Sequence, residues 1–424
     1  MLIRLLVVAL VACALFVPTH ASAQSEDVNL ARAKRILRTT PLVDGHNDLA
    51  WRIREDKNAP RDVEAYDLRK TTPGHTDLAR MKEGMVGAQF WSVYIPGEIK
   101  DSGYARVQLE QIDIARRFIA KYPERLAFAT HASDIRKDFA QGKVASFLGM
   151  EGGHAIENSL GALRAYYDLG VRYMTLTHNV TLDWADAALD SARHGGLTPF
   201  GMEVVKEMNR LGMLVDLAHV SPGTMSDALD VSEAPVIFSH SGARALVDHP
   251  RNVPDSILAR LRKNGGIVMV PFVNSFVSPD VHAHDLAQDS VARAAASKFP
   301  NDSVAVHREV SAWRATHPLP LATLAQVADH IEHVRDIAGI DHVGIGSDFD
   351  GMVDLIPGLE NVSRFPYLLA ELARRGWSDA DLRKVTGENF IRVFTQAEAV
   401  SRRLQKERGP SMATIAAPSA GVNP

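Results

Sequence analysis

Cysteine is almost absent from this chain, whose 424 residues include only Cys13. Cys13 lies in an N-terminal segment where Arg4 precedes an apolar run, residues 5–17, and the small residues Ala21-Ser22-Ala23 follow. This order is typical of a secretory signal peptide, so we predict that residues 1–23 direct export, to the periplasm or out of the cell, and are then removed. The mature chain would contain no cysteine, which excludes disulfides, a thiolate nucleophile and a cysteine metal site.

A lipid anchor at Cys13 is the alternative to soluble export, because Leu10-Val11-Ala12-Cys13 resembles a lipoprotein cleavage box. The residues that follow stay apolar through Val17, where a lipoprotein usually turns polar, and this favours soluble export. The apolar run of the segment is too short to span a bilayer, and no transmembrane helix is expected after cleavage. Residues 411–424 also lack the apolar run that a C-terminal lipid anchor requires.

The chain has no excess of basic charge: 47 Lys and Arg residues stand against 51 Asp and Glu residues, for a formal net charge of −4. We therefore expect neither nucleic acid nor an anionic membrane surface as a partner. A Gly-x-Gly-x-x-Gly motif after a strand and a Walker-type loop are both absent, so neither motif indicates a dinucleotide or P-loop site.

Short runs rich in Val, Ile, Leu and Phe alternate with longer amphipathic segments along most of the chain. Apolar runs of this length are typical of strands that are buried on both faces, and alternation with helices predicts a parallel sheet. The eight runs are residues 41–45, 88–95, 144–150, 171–177, 213–218, 235–239, 266–272 and 342–347. This pattern predicts one α/β domain, a (β/α)8 TIM barrel, with a doubly wound open sheet as the alternative.

We predict that residues 24–400 form this single catalytic domain. Residues 278–320, after the seventh strand, form a long polar insertion that contains His282 and Asp285. In a barrel an insertion at this point lies on the catalytic face and can partly cover the site. Residues 401–424 are predicted to be a disordered tail, since the end of the chain is rich in Ala, Pro, Ser and Gly.

Polar side chains follow most of the predicted strands, where barrel enzymes build their active sites. His46 and Asp48 follow the first strand two residues apart, so their side chains point to the same side. Six of the eight runs end in His, Asp or Glu, namely at His46 with Asp48, Glu151, His178, His219, His240 and Asp348; the second ends at Tyr94 and the seventh at Asn274 and Phe276. Burying such groups together without a metal would leave costly unpaired charge, so a metal site is predicted.

The number of candidate ligands predicts two metal ions, because an open catalytic ion needs about three protein ligands. His46, Asp48 and Glu151 can hold one ion. Glu151, His219 and His240 can hold the other if the Glu151 carboxylate bridges, with one oxygen on each ion. Two ions about 3.5–4 Å apart can share a water and make it a strong nucleophile at neutral pH. Such a site carries out hydrolysis rather than redox chemistry.

Seven short motifs follow one another in order along residues 41–395. They are Asp44-Gly45-His46-Asn47-Asp48, Gly149-Met150-Glu151-Gly152-Gly153, Thr177-His178-Asn179, Asp216-Leu217-Ala218-His219-Val220-Ser221, Ser239-His240-Ser241, Arg251-Asn252-Val253-Pro254-Asp255 and Gly344-Ile345-Gly346-Ser347-Asp348-Phe349-Asp350-Gly351. Together they resemble the membrane (renal-type) dipeptidases, the M19 metallopeptidases among the amidohydrolase-like, metal-dependent barrels. The His-x-Asp at the first strand is informative, because most related amidohydrolases have His-x-His there.

The resemblance implies two zinc ions per chain, bridged by Glu151, and a bridging hydroxide that attacks the peptide bond of a dipeptide. It also implies that His178 stabilises the oxyanion, Arg251 binds the substrate carboxylate, and Asp348 moves a proton from the water to the leaving amine. Members of the family tolerate a C-terminal D-residue, some open β-lactam rings, and many are homodimers. Phe276 stands where mammalian members carry a tyrosine, so a hydroxyl contact to substrate is lost there.

Two other functions stay open on the sequence alone. The first is a hydrolase of the same fold that acts on another small carboxylate-bearing amide, such as a β-lactam or an N-acyl amino acid. The second is a non-catalytic periplasmic binding protein on a decayed barrel. A decayed barrel should have lost metal ligands or Asp348, and this sequence retains them.

Overall fold

The structure, a computed structural model, describes residues 27–415, except for the side chains of residues 100–102. The predicted signal peptide and Cys13 lie outside the described residues, as do residues 416–424. No helix within residues 27–415 is both long enough and apolar enough to cross a membrane.

Eight parallel strands close into a barrel, as the sequence predicted, and the open-sheet alternative is wrong. Each strand pairs with its neighbours around the ring, and the ring closes through the pairing of the first strand with the last. With one strand outside the ring, the sheet has nine strands in the described residues: β1 (Leu42–Asn47), β2 (Val86–Ser92), β3 (Leu126–Phe128), β4 (Val144–Glu151), β5 (Val171–Thr175), β6 (Leu214–Asp216), β7 (Ile237–Phe238), β8 (Ile267–Val270) and β9 (Val343–Ile345). Strand β3 is the additional one and pairs only with the N-terminal half of β4.

Helices connect the strands and surround the barrel. They are α1 (Val28–Leu37), α2 (Leu49–Arg54), α3 (Leu78–Glu83), α4 (Tyr104–Lys121), α5 (Ala132–Ala140), α6 (Leu160–Asp168), α7 (Pro199–Leu211), α8 (Pro222–Val231), α9 (Asp255–Asn264), α10 (Asn274–Val277), α11 (Pro279–Lys298), α12 (Ser303–Thr316), α13 (Leu324–Ala338), α14 (Phe365–Arg374), α15 (Asp379–Arg383) and α16 (Asn389–Glu407). The side chains of Ser221 and Ser378 accept backbone N–H bonds at the starts of α8 and α15.

Aromatic rings fill the barrel interior below the strand ends. Phe90 stacks on Phe147 and Tyr173, with ring centroids 4.8 and 5.1 Å away. Phe390 and Phe394 of α16 pack against these rings at 5.2 and 5.6 Å. Because the interior is filled in this way, polar side chains that converge at the C-terminal ends of the strands rest on a rigid floor.

The polar insertion, residues 278–320, folds mainly as α11 and α12, which pack on each other, and α11 also packs on the short α10. The predicted boundary of a disordered tail at residue 401 requires correction, because α16 continues to Glu407 and buries Leu404. Ser411 also binds α7, where its Oγ donates to Glu203 Oε2 at 2.9 Å. Residues 401–415 therefore belong to the folded domain, and their composition did not reveal the apolar stripe of α16.

Candidate metal centre

A cavity of about 550 Å³ opens at the C-terminal ends of the strands. It brings together seven of the eight predicted site residues, namely Asp48, Glu151, His178, His219, His240, Arg251 and Asp348. The eighth, His46, lies beneath them and is fully buried, with its Nε2 3.2 Å from Asp48 Oδ2. Val281 and Asp285 line one side of the same cavity, so the insertion contributes to the wall above the strand ends, as its position predicted.

The Glu151 carboxylate occupies the centre of the cluster and divides it into two sides. On one side, Glu151 Oε2 lies 3.4 Å from His46 Nε2 and accepts a hydrogen bond from Ser92 Oγ at 3.0 Å. On the other, Glu151 Oε1 lies 2.9 Å from His219 Nε2 and 3.5 Å from His240 Nε2. The two oxygens therefore face different imidazoles, His46 on one side and His219 with His240 on the other. This is the arrangement that a bridging carboxylate requires.

His219 and His240 point unprotonated nitrogens at each other. His240 Nδ1 lies 2.8 Å from Ser239 Oγ, whose own proton is donated to the Asp216 carboxylate at 2.6 Å. Ser239 Oγ must therefore accept a proton from His240 Nδ1, and this leaves Nε2 with a lone pair. The same reasoning applies to His219, because its Nδ1 lies 3.0 Å from Asn179 Oδ1, which only accepts.

The Nε2 atoms of His219 and His240, each with a lone pair, are 3.0 Å apart. Burial lowers the pKa of both imidazoles well below the ordinary value, with the Arg251 charge acting in the same direction, so protonation does not relieve the repulsion between them. A cation that accepts both lone pairs and one oxygen of Glu151 removes it. The donor set of nitrogen and oxygen atoms suits a borderline divalent ion such as zinc.

His46 serves the other side of the cluster. Its Nδ1 lies 2.8 Å from the Tyr173 hydroxyl, while its buried Nε2 has no hydrogen-bond partner among residues 27–415. Burial opposes protonation of His46, but Tyr173, Glu151 and Asp48 raise its pKa well above the ordinary value. This response to nearby negative charge indicates that the position attracts a cation, and His46 with Asp48 and Glu151 supplies three ligands for one.

Potential ligand atoms form three overlapping groups within the part of the chain that the structure describes. In each group the atoms lie within 4.8 Å of one another. The groups are His46 with Glu151 and His240, Glu151 with His178 and His219, and His46 with Asp48 and Asp348. The clusters therefore contain the five predicted ligands, and they add His178 and Asp348 at the edges as potential ligands.

Backbone hydrogen bonds hold Asp348 against the C-terminal end of β1. Its N–H donates to the carbonyl oxygen of His46 at 3.2 Å, and the N–H of Asp48 donates to the carbonyl oxygen of Phe349 at 2.9 Å. A Cβ on Gly351 would lie 2.3 Å from Asp48 Oδ2 and 2.6 Å from Asp348 Oδ1, so only glycine fits beside the two carboxylates. Burial raises the pKa of Asp348 well above its usual range, and the charges of Asp48 and Glu151 add to this effect.

Arg251 and His178 reach the cavity with unused hydrogen-bonding atoms. Arg251 is buried, its guanidinium lies 5.0 Å above the Phe276 ring, and its Nε has no partner among the described residues. Burial lowers the pKa of Arg251 to about 10, so the side chain stays charged at neutral pH. His178 packs its ring on Tyr94 at 4.7 Å and on His219 at 4.3 Å, and its Nδ1 also lacks a partner in the described part of the chain.

The residues that orient the predicted ligands had no assigned role in the sequence. They are Tyr173, Asn179, Ser239 and Ser92, which bind the side chains of predicted ligands directly, and Asp216, which binds Ser239, at the distances given above. Three of them adjoin a predicted ligand or share its motif, and this proximity was an available signal. Tyr173 and Ser92 carry no such signal, because Tyr173 lies inside an apolar strand, Ser92 ends another, and each meets its partner only when the barrel closes.

The model of the membrane dipeptidases, peptidase family M19, matches residues 30–408. A solved metallopeptidase from Rhodobacter sphaeroides, bound to a phosphinate mimic of the dipeptide L-Ala-D-Ala, is 25% identical to this chain. The match covers 84% of this chain and 99% of that chain, with a TM-score of 0.69. A dipeptidase AC of metallopeptidase family M19 is 26% identical, with 85% and 99% covered and a TM-score of 0.69. A probable dipeptidase from Pseudomonas aeruginosa shares the fold at 24% identity, with 88% and 99% covered and a TM-score of 0.75.

Proposed function

The chain belongs to the membrane dipeptidase family, peptidase family M19, and from this premise we propose that it is a di-zinc enzyme that hydrolyses dipeptides, including those with a C-terminal D-residue. The observation that carries the proposal is the position of Glu151, whose two oxygens face separate sets of metal-ligating side chains. His46, Asp48 and Glu151 would hold one ion, and Glu151, His219 and His240 the other. When bound, such a pair of ions polarises a carbonyl oxygen and lowers the pKa of a water between them.

Arg251 would bind the C-terminal carboxylate of the substrate. Its guanidinium is charged, buried at the cavity wall and supported from below by Phe276, so its free donors lose little conformational freedom on binding. A guanidinium binds a carboxylate through two parallel hydrogen bonds, which fixes the orientation of the substrate as well as its position. This contact selects substrates with a free carboxylate, a property that dipeptides share with the alternative substrates.

His178 and Asp348 would act at the scissile bond. Burial lowers the pKa of His178, so it is a neutral imidazole with one N–H to donate to the oxygen that becomes negative in the transition state. Asp348 lies within reach of the His46 and Asp48 ligand atoms and can accept a proton there. It would then pass this proton to the leaving amine, which must be protonated before it departs.

Two further properties are part of the proposal. Acceptance of a C-terminal D-residue is supported by the similarity to the Rhodobacter sphaeroides metallopeptidase, which is liganded with a mimic of L-Ala-D-Ala. Export to the periplasm or the medium is supported by the composition of residues 1–23, which is typical of a signal peptide. A pulse-labelled precursor that is not shortened during secretion would contradict the second property.

The test is a substrate panel on purified protein reconstituted with zinc. We expect two equivalents of bound zinc and hydrolysis of L-Ala-L-Ala and L-Ala-D-Ala. The N-acetylated forms and a β-lactam serve as comparisons. Hydrolysis restricted to the acetylated peptide or the lactam would favour the alternative hydrolase, and two equivalents of zinc without any hydrolysis would favour a binding protein.

Replacement of Arg251 by lysine is expected to raise KM for L-Ala-D-Ala while kcat changes little. The variant keeps a positive charge but loses the paired hydrogen bonds, and a hydrogen bond to a charged group contributes about 1.5–3 kcal/mol. This corresponds to roughly a 10- to 100-fold rise in KM. The dipeptide amide is the matched control, because it lacks the carboxylate. An equal loss on both substrates would contradict the assigned role of Arg251.

A further inference from the structure

The loop that carries Asp348 has an unusual backbone. Asp348 and Asp350 both adopt left-handed conformations, with φ of 66° and 68°, and Phe349 lies between them. A residue with a Cβ rarely adopts this conformation unless surrounding contacts hold it there. The contacts that hold this loop therefore also determine where the Asp348 carboxylate points.

His75 and Asp350 form two reciprocal hydrogen bonds across this loop. The backbone N–H of His75 donates to Asp350 Oδ1 at 2.7 Å, and the backbone N–H of Asp350 donates to His75 Nδ1 at 2.9 Å. The Asp350 side chain is 1% exposed, so water does not compete for these bonds. A Cβ on Gly74 would lie 2.3 Å from Asp350 Oδ1, so the backbone before His75 leaves room for this carboxylate.

The ring of Phe349 is fixed by the same contacts. It meets the His75 ring edge-on at a centroid distance of 5.9 Å, and it packs against Phe272 and Phe365 at 5.4 and 5.7 Å on other sides. The carbonyl oxygen of Phe349 accepts the N–H of Asp48, and Asp348 donates to His46. The loop is therefore held by His75 on one side and by the metal-binding strand end on the other.

We propose that His75 and Asp350 are positioning residues that hold Asp348 in the orientation required for proton transfer. The inference rests on the proposed function, since it assigns a supporting role for the acid–base residue of that reaction. Neither His75 nor Asp350 touches the substrate in this account. Their contribution is geometric, and a misplacement of about 1 Å at a catalytic group can cost about 10²-fold in rate.

The bond from Asp350 to His75 Nδ1 allows a conservative rescue. Nδ1 accepts this hydrogen bond, so the imidazole carries its proton on Nε2. The Oδ1 atom of asparagine can occupy the place of Nδ1 and accept the same bond, whereas alanine cannot. The pair His75→Asn and His75→Ala therefore separates loss of the hydrogen bond from loss of the ring.

The experiment measures kcat, KM, zinc content and hydrogen exchange of the 345–353 segment in the zinc-loaded protein. We expect His75→Ala to lower kcat by about 10²-fold, with KM within about threefold of the wild type, two equivalents of zinc still bound and faster exchange in the segment. His75→Asn should restore most of kcat and of the protection. His342→Ala is the matched control. His342 precedes β9, at the opposite end of that strand from Asp348, and its Nδ1 donates to the carbonyl oxygen of Gly266. This variant should behave as the wild type.

Three outcomes would overturn the proposal. They are unchanged kcat and exchange in His75→Ala, equal impairment of the alanine and asparagine variants, and an equal loss in His342→Ala. If the wild-type protein hydrolyses no dipeptide, the proposed function fails, but the exchange measurement still decides whether His75 holds the loop. Faster exchange in His75→Ala, reversed in His75→Asn, would support that role.

Discussion

Replacement of Glu151 by glutamine is expected to reduce bound zinc from two equivalents to at most one and to lower kcat/KM by about 10³-fold or more. Glutamine keeps the size of the side chain but replaces one oxygen with an NH2 group, which has no lone pair for a metal. One side of the cluster therefore loses its shared ligand. Loss of several kcal/mol of transition-state stabilisation by a metal corresponds to a rate effect of this size.

The fold itself should survive this substitution, and the control measurement uses that expectation. In the metal-free protein the buried Glu151 carboxylate accepts a hydrogen bond from Ser92, and His46 and His219 lower its pKa well below the ordinary value against the effect of burial, so a neutral side chain loses some of this stabilisation. We expect the metal-free variant to unfold cooperatively, with a Tm somewhat below that of the metal-free wild type. Zinc should raise Tm of the wild type strongly and of the variant weakly, because only binding to the folded state stabilises it.

Asp285→Asn provides a matched control for the Glu151 experiment. Asp285 lines the outer wall of the same cavity on α11, away from the ligand groups. Its removal should leave two equivalents of zinc and near-normal kcat. A Glu151→Gln protein that keeps two equivalents and normal turnover would rule out the bridging role.

The barrel and the polar side chains that meet in its cavity could be predicted from the sequence for one physical reason. Strands buried on both faces have to be apolar, so the first polar residue after each run marks the point where the chain reaches the cavity. Glu151 at the end of β4 and His219 after β6 are examples. Strand β3 was missed because Leu126 is its only buried residue and Phe128 at its end is exposed, so it has no apolar run of the kind that marks a strand buried on both faces.

The support around the ligands could not be predicted in the same way, because it depends on contacts between distant parts of the chain. Tyr173 meets His46 across 127 positions, and Asp350 meets His75 across 275. Neither pair has a spacing or a periodicity that a single sequence displays. The helices of the insertion were hidden for a different reason: α11 and α12 bury few side chains, so their apolar periodicity is weak.

Replacement of Asp348 by asparagine is expected to lower kcat by about 10²- to 10⁴-fold while two equivalents of zinc remain bound. Asparagine has nearly the same shape and can keep the backbone bonds that join the loop to β1. It cannot accept and return a proton at the scissile bond. The KM for L-Ala-D-Ala should change little, since Arg251 and not Asp348 binds the substrate carboxylate in our proposal.

The zinc measurement in this variant decides between two roles that the geometry permits for Asp348. Its carboxylate lies with His46 and Asp48 in one group of potential ligand atoms, so it could bind a metal directly. A ligand role predicts that Asp348→Asn loses zinc and activity together, and that excess zinc restores part of the activity. A proton-transfer role predicts lost activity at full zinc occupancy, with no response to added zinc.

Asp354→Asn is the matched control for this variant, because Asp354 lines the same cavity. The hydrogen bond from Asn274 goes to the backbone carbonyl of Asp354, so the substitution leaves that bond in place. This variant should keep zinc and turnover. Near-normal turnover in Asp348→Asn would rule out the proton-transfer role. It would also remove the reason for the left-handed backbone at Asp348, since a strained conformation persists where the position of the side chain matters to function.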